Sequence, residues 1–468
     1  MLGNAMRWRA VLVGLGAGAL CVATVGSSGA LASSGDDGNG GSSARTGVSS
    51  GVDGAGGLAP QVVHTGTGPT GYTVTFRYKN PTAMSVQIEG EWYFANPYEL
   101  SALAGTSTTT VATPGLLPSQ WKPGDIPIGS PNSSAANWPV VSMTKNARTG
   151  IWSYTTALPS GVFNYGLYVN CASSTQTGCA EISDPANPPW NQSGSHTTGS
   201  VEGVSQVYVP SDSQFGTVDL SWQAPAKQGR GTLTDVTYPS PTSVTPVGEN
   251  YLAVYTPPGY NPRRATPYPT VYMNSGGSNE MDWSTQGDLG NILDNLIDTG
   301  QIQPMVVVMP NTTGFADSAS YASFDANLVN SVIPYVESHY DVSASVSQRA
   351  IGGLGYGASI SNSFLFDDTA EFGYYGVLSP GLHGDFTLPD AAALSSAQIA
   401  ALRTVGIFVG GGWQDPSHYY HASEVALLTG VGVAVSPDYV NGGHEWYAWR
   451  ILLRDFLTRV AFFPPVAG

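Results

Sequence analysis

The spacing of apolar residues changes character twice along this chain. Residues 33–60 are rich in Gly, Ser and Asp and hold almost no large apolar side chain. They have nothing to build a core from and read as a flexible tether. From residue 61 onward, short segments alternate apolar and polar positions with a period of two: Tyr72 to Tyr78, Ser85 to Glu89, Ile151 to Thr155 and Phe163 to Val169. Turn residues separate them, and the stretch 95–140 is rich in Pro, Ser and Gly and reads as a long loop. This pattern predicts an all-β sandwich over residues 61–200, followed by a connector over 201–230.

From residue 231 the pattern switches to apolar runs alternating with helical spacing. The predicted strands are Leu252 to Tyr255, Thr270 to Met273, Met305 to Met309, Ala350 to Gly352, Tyr375 to Leu378, Gly406 to Val409 and Val433 to Val435. Helical spacing appears at Ile292 to Ile297, Ala326 to Val336, Ile399 to Leu402 and Val425 to Leu428. Strands buried on both faces and joined by helices mean a mostly parallel sheet, so residues 231–468 are expected to form one α/β domain.

The first 32 residues read as a secretory signal. Arg7 and Arg9 form a basic start, Ala10 to Val25 is apolar, and Ala30-Leu31-Ala32 is an A-x-A cleavage site before Ser33. The apolar run is short for a bilayer span, which needs about 20 residues. The expectation is a secreted protein with no stable membrane insertion after cleavage. In an oxidising compartment Cys171 and Cys179, the two cysteines beyond the signal, are expected to pair across a short loop.

The formal charge is −16, and loss of Arg7 and Arg9 with the signal makes it −18. Such an acidic chain is a poor partner for nucleic acid or an anionic membrane. No Cys/His cluster has metal-ligand spacing, and no metal or organic cofactor is implied.

The chemistry lies in Gly353-Leu354-Gly355-Tyr356-Gly357. It reads as the nucleophile elbow G-x-S-x-G with glycine in place of serine. Arg349 to Gly352 supplies the strand before it, and Ala358 to Phe366 the helix after it, which is the context an elbow requires. Downstream, Asp415 follows the glycine-rich Phe408 to Gln414, and His444 follows Gly442-Gly443. The serines of the following helix, Ser359, Ser361 and Ser363, are expected to point away from His444. His418 and His421 are expected on the solvated face of a helix beginning near Ser417.

Several segments beyond the elbow carry a family resemblance. Val254-Tyr-Thr-Pro-Pro-Gly-Tyr260, Gly276-Gly277, Asn279 to Trp283, Pro304 to Pro310, Ile333 to Val336 and Gly442-Gly-His444 with Trp446 and Trp449 span residues 230–460. This region resembles the α/β-hydrolase-fold esterases of the enterochelin-esterase-like and feruloyl/acetylxylan esterase group. Upstream, Gly90-Glu91-Trp92, Met143 to Asn146, Gly150 to Trp152, Leu158 to Gly161, Tyr165 and Asp184 to Pro188 resemble early-set immunoglobulin-like domains. Those domains are related to carbohydrate-binding modules. Trp92, Trp152 and Tyr165 are therefore either sugar platforms or core residues, with the core favoured.

The resemblance implies a role for each position. Gly355 falls where the nucleophile stands, Asp415 where the triad acid stands and His444 where the general base stands. The oxyanion hole is implied to use backbone N–H groups of Tyr356 and of the Ser275, Gly276 and Gly277 turn. The chain departs from the group at Asn274-Ser275, where histidine is usual, and at Tyr356, where a small residue or Met is common. Two functions follow: a secreted pseudo-esterase that binds a small ester or polysaccharide ligand, or a working ester hydrolase or acyltransferase using His444 and Asp415 with water or another nucleophile. A third is a polysaccharide-binding module carried on a scaffold.

Overall fold

The computed structural model describes residues 57–101, 115–128, 140–171, 179–188, 205–227, 229–276, 280–315, 322–380 and 386–464. The expected signal at 1–32 and most of the tether lie outside the described residues. So does Gly277.

The first half is built from ten strands: β1 (Gln61–His64), β2 (Tyr72–Lys79), β3 (Val86–Gly90), β4 (Phe94–Ala95), β5 (Ile126–Pro127), β6 (Val141–Ser142), β7 (Thr144–Asn146), β8 (Ile151–Ala157), β9 (Gly161–Val169) and β10 (Ser205–Val209). They form two four-stranded antiparallel sheets, ordered β1-β2-β8-β7 and β10-β9-β3-β6, with a separate two-stranded β4-β5 pairing. Alternate residues of the two sheets share one core, including Val74 and Phe76 from β2, Val86 and Ile88 from β3, and Phe163, Tyr165 and Leu167 from β9. Trp92, Trp152 and Tyr165 are buried in it, so they fill the core and offer no sugar platform. Cys171 and Cys179 are joined by a disulfide. The expected connector 201–230 is corrected by β10, which pairs residue for residue with β9 and so belongs to the second sheet.

The second half holds β11 (Thr232–Val244), β12 (Val247–Thr256), β13 (Thr270–Asn274), β14 (Val306–Pro310), β15 (Arg349–Leu354), β16 (Tyr374–Leu378), β17 (Gly406–Gly412) and β18 (Ser436–Val440). They form one eight-stranded sheet ordered β11-β12-β14-β13-β15-β16-β17-β18. The sheet is mixed. β12 runs antiparallel to both β11 and β14, while every pairing from β14 to β18 is parallel. The strand expected at Val433 to Val435 lies instead at β18.

Alternate residues on the central strands feed two separate cores. Tyr272, Val306, Val308, Ile407 and Val409 face one, and Val271, Met273, Val307 and Phe408 the other. The helices, in chain order, are α1 (Pro97–Ser101), α2 (Asp282–Thr285), α3 (Leu289–Asp298), α4 (Ala322–Asn327), α5 (Ile333–His339), α6 (Tyr356–Asp367), α7 (Ser396–Leu402), α8 (His418–Gly430) and α9 (Trp446–Arg459). A single π turn, Leu328–Val332, joins α4 to α5. Buried residues of α4 to α8 pack into the first core, and those of α2, α3 and α9 into the second. No described helix is long and apolar enough to cross a membrane.

Polar contacts tie the two halves together at α9. Arg450 is buried and donates to the Val162 carbonyl at 2.8 Å and to the Gln286 carbonyl. It also lies 3.7 Å from the Glu91 carboxylate. Gln206 of β10 donates to the same Gln286 carbonyl at 2.9 Å.

Candidate active site

The parallel strands end at one edge of the sheet, and the predicted site residues gather there. Gly355 links β15 directly to α6, with φ 53° and ψ −114°. That region favours glycine, and another residue there costs about 1–3 kcal/mol. The flanking glycines are demanded by space. A Cβ at Gly353 would lie 2.4 Å from the Gly357 carbonyl carbon, and one at Gly357 would lie 2.5 Å from the Asn274 carbonyl oxygen. At Gly355 itself nothing stands in the way. A Cβ there would lie 3.6 Å from Gly276 Cα, 3.6 Å from His444 Nε2 and 3.8 Å from His444 Cε1. A seryl oxygen one bond further out would come within the reach of about 2.6–3.2 Å that a nucleophile–base pair needs.

The acid–base pair sits on the next two loops. Asp415 follows β17 and His444 follows β18. The loops are brought together by glycine: a Cβ at Gly412 would lie 2.0 Å from the Gly442 carbonyl oxygen. Gln414 then fastens them, accepting from the Gly442 N–H at 2.8 Å. Its amide also donates to the Pro97 carbonyl at 3.1 Å, so the first half touches the loop that carries the acid.

His444 Nδ1 lies 3.2 Å from both Asp415 carboxylate oxygens. Its ring meets the Trp449 ring edge-on, at 4.8 Å and 89°. Asp415 is buried, and its Oδ1 accepts from both the backbone N–H and the hydroxyl of Ser417 at 2.7 Å. Burial alone would push this carboxyl up. The His444 charge, with hydrogen bonds from His444 and Ser417, outweighs burial and holds it at about 2. Asp415 therefore faces His444 and also organises the turn into α8.

At the oxyanion side, Tyr356 opens α6 and is half-buried against the first core. Ser275 and Gly276 follow β13. A Cβ at Gly276 would lie 2.5 Å from Leu354 Cδ1, so glycine lets this turn lie against the elbow strand without shifting the Leu354 side chain. The Ser275 hydroxyl is engaged by the Asp282 carboxylate. Asn274, where the resemblance led one to look for histidine, donates to the Gly352 carbonyl at 3.4 Å, and its own carbonyl accepts from Trp283 at 2.9 Å.

The serines past the elbow are committed elsewhere. Ser361 donates to the Gly357 carbonyl and Ser363 to Asp325, and Ser359 is buried. His421 is a correction. It is wholly buried, because Gly411 leaves room for its ring: a Cβ there would lie 2.6 Å from His421 Nε2. Burial lowers its pKa to about 4.

One group went unread in the sequence. Glu424 of α8 is fully buried and accepts from the Asn362 amide of α6 at 3.1 Å. Burial pushes its carboxyl up to about 8. Its only sequence signal is a carboxylate three residues past His421 on the same helix face. Ser417 had a clearer one, as the residue two after an aspartate at a helix start. Among the described residues no group of three or more His, Cys, Asp or Glu is arranged to hold a metal ion.

The sheet, the strand-to-helix elbow and the acid and imidazole on the following loops define the α/β-hydrolase fold. Residues 243–460 match the family model Esterase, described as "Putative esterase". Over 207 residues the chain is 30% identical to the endo-1,4-beta-xylanase/feruloyl esterase of Xylanibacter ruminicola, an alignment covering 42% of this chain and 27% of that protein. Over 122 residues it is 34% identical to endo-1,4-beta-xylanase Y of Acetivibrio thermocellus, covering 24% of this chain and 11% of that one. The matches thus span about a quarter or less of these relatives' lengths. In fold the chain is similar to the enterobactin esterase FES from Shigella flexneri, with a TM-score of 0.50, 15% identity, and coverage of 86% of this chain and 96% of that one.

Proposed function

We propose that this protein is a secreted pseudo-esterase: it keeps the pocket and acid–base pair of an esterase, binds an ester or glycan ligand, and does not form an acyl-enzyme. The observation that carries this reading is Gly355, whose missing side chain would have pointed at His444 Nε2 from 3.6 Å. His444 takes the general-base position and Asp415 holds its ring and supports its cation. Backbone N–H groups of Tyr356 and of the Ser275 to Gly277 turn take the oxyanion position. With no hydroxyl between them there is no nucleophile to acylate. Catalysis by the remaining groups reaches about 10³–10⁴ over water, far below a working esterase. The first half is read as an immunoglobulin-like domain over 61–200, extended by β10, that buttresses the α/β domain over 231–468.

The intact Asp415–His444 pair favours a second reading, in which His444 activates a water in the place of the hydroxyl. The two readings part on one experiment. Hydrolysis of an acyl-nitrophenol ester panel is measured for the wild type and for His444→Ala. The proposal expects both to stay at the same low level. Wild-type turnover that disappears in His444→Ala contradicts it and supports the water mechanism.

A further inference from the structure

The nitrogen of His444 that faces Gly355 has no hydrogen-bond partner among the described residues, because Asp415 holds the other nitrogen. The imidazole side chain is 7% exposed and the Asp415 side chain behind it 0%. In front of Nε2 lies the place of the absent hydroxymethyl group, with Gly276 Cα as its other wall. Beyond it begins the 12-residue helix α6. A ring nitrogen able to carry a proton on one side and a helix start on the other suit an anion with two oxygens. An ester fits less well, since neither of its oxygens carries charge and its alkoxy oxygen is a weak acceptor.

We propose that the site is a receptor for free carboxylic acids. The carboxylate anion sets one oxygen in the hydroxyl's place against His444 Nε2 and the other toward the start of α6. This rests on the pseudo-esterase reading and names its ligand class.

Asp415, behind the ring, is ionised throughout the neutral range. No covalent bond forms or breaks on binding. Among the described residues, Asp415 contacts the ring directly, His421 interacts with it electrostatically with His418 beside His421, Glu445 is next in the chain, and Trp449 of α9 meets the ring edge-on. His421, held near 4 by burial, supplies no competing cation at neutral pH.

The test is calorimetric titration of the purified protein at pH 8 with sodium benzoate and sodium acetate. Methyl benzoate is the neutral control. Benzoate is expected to bind at least about tenfold more tightly than methyl benzoate, as loss of one charge-assisted bond implies. The same loss is expected in His444→Ala, which removes the donor. Gly355→Ser and Gly355→Ala should weaken binding by filling the space; melting curves establish that each variant is folded, and His444→Ala carries the comparison if the Gly355 variants are not. Failure of both acids to bind, methyl benzoate binding as tightly as benzoate, or unchanged binding in folded His444→Ala overturns the proposal. Turnover of nitrophenyl esters by the wild type, measured in parallel, would instead overturn the pseudo-esterase reading while leaving the binding heats to be read on their own.

Discussion

The turn that carries Gly355 and the loops that carry Asp415 and His444 lie side by side, yet they are built on different terms. The acid–base loops are dense with polar contacts: Asp415 is met by His444 and Ser417, and Gln414 clips one loop to the other. The elbow holds its shape without any side chain at its centre. Its geometry comes from two flanking glycines that admit no Cβ and from the Gly355 N–H donating to the Leu378 carbonyl at 3.1 Å. The nucleophile's place is thus fixed by backbone packing, and the chemistry of that place is separable from the fold. The Asp415–His444 pair has no such independence, since its geometry is made of the contacts of the two side chains themselves.

This contrast is sharpened first by the three elbow glycines. Gly353→Ala and Gly357→Ala drive a methyl into backbone and are expected to cost at least about 3 kcal/mol, the upper end of overpacking. Gly355→Ala meets no atom and bears only the strain of its positive φ, about 1–3 kcal/mol before the unfolded-state gain of leaving glycine is subtracted. Urea unfolding of the three variants ranks them. Equal losses at all three positions would break the claim that only the centre of the elbow is sterically free.

A second, pH-dependent effect joins the two regions. Glu424 stands on the helix after Asp415, and its partner Asn362 on the helix after Gly355. Its folded pKa, about 8, lies above the unfolded value of about 4.3, so the folded state binds the proton more tightly. That contribution is fully present below the unfolded pKa and is lost as pH rises from about 4.3 through 8. Glu424→Gln keeps the shape without the titration. It is expected to match the wild type near pH 4 and to be more stable near pH 8 by roughly 4–5 kcal/mol, since the gap between the folded and unfolded pKa is worth about 1.4 kcal/mol per tenfold difference in proton affinity. Stability measured against pH for both proteins checks this. A parallel pair of curves would contradict it.

The positions of Gly355, Asp415 and His444, which the structure brings together, are each marked in the sequence by neighbouring glycines. The two edges of the large sheet are not legible in that way. β11 contains Pro239 and Pro241, and β18 contains Pro437; both strands are rich in polar residues. Edge strands have an unpaired side that tolerates proline, and they need not be apolar on both faces. A reading based on apolar runs therefore passed over β11 and placed the last strand three residues early. The antiparallel setting of β12 is topology, which periodicity does not encode. Helix α9 escaped because Arg450, Arg454 and Arg459 interrupt its apolar spacing. Arg450 is buried against the first half of the chain, a partner no local pattern reveals. His421 was misread for a similar reason, as the room for its ring comes from Gly411 on a neighbouring strand.

The most direct test of the account is to restore the missing oxygen. Wild type and Gly355→Ser are compared for hydrolysis of acyl-nitrophenol esters, and for the mass shift left by an organophosphonate that labels activated serines. The account predicts that Gly355→Ser alone gains turnover and takes up one label, and that both disappear when His444→Ala is added. A folded Gly355→Ser that neither turns over nor labels would contradict the claim that the site lacks only its nucleophile.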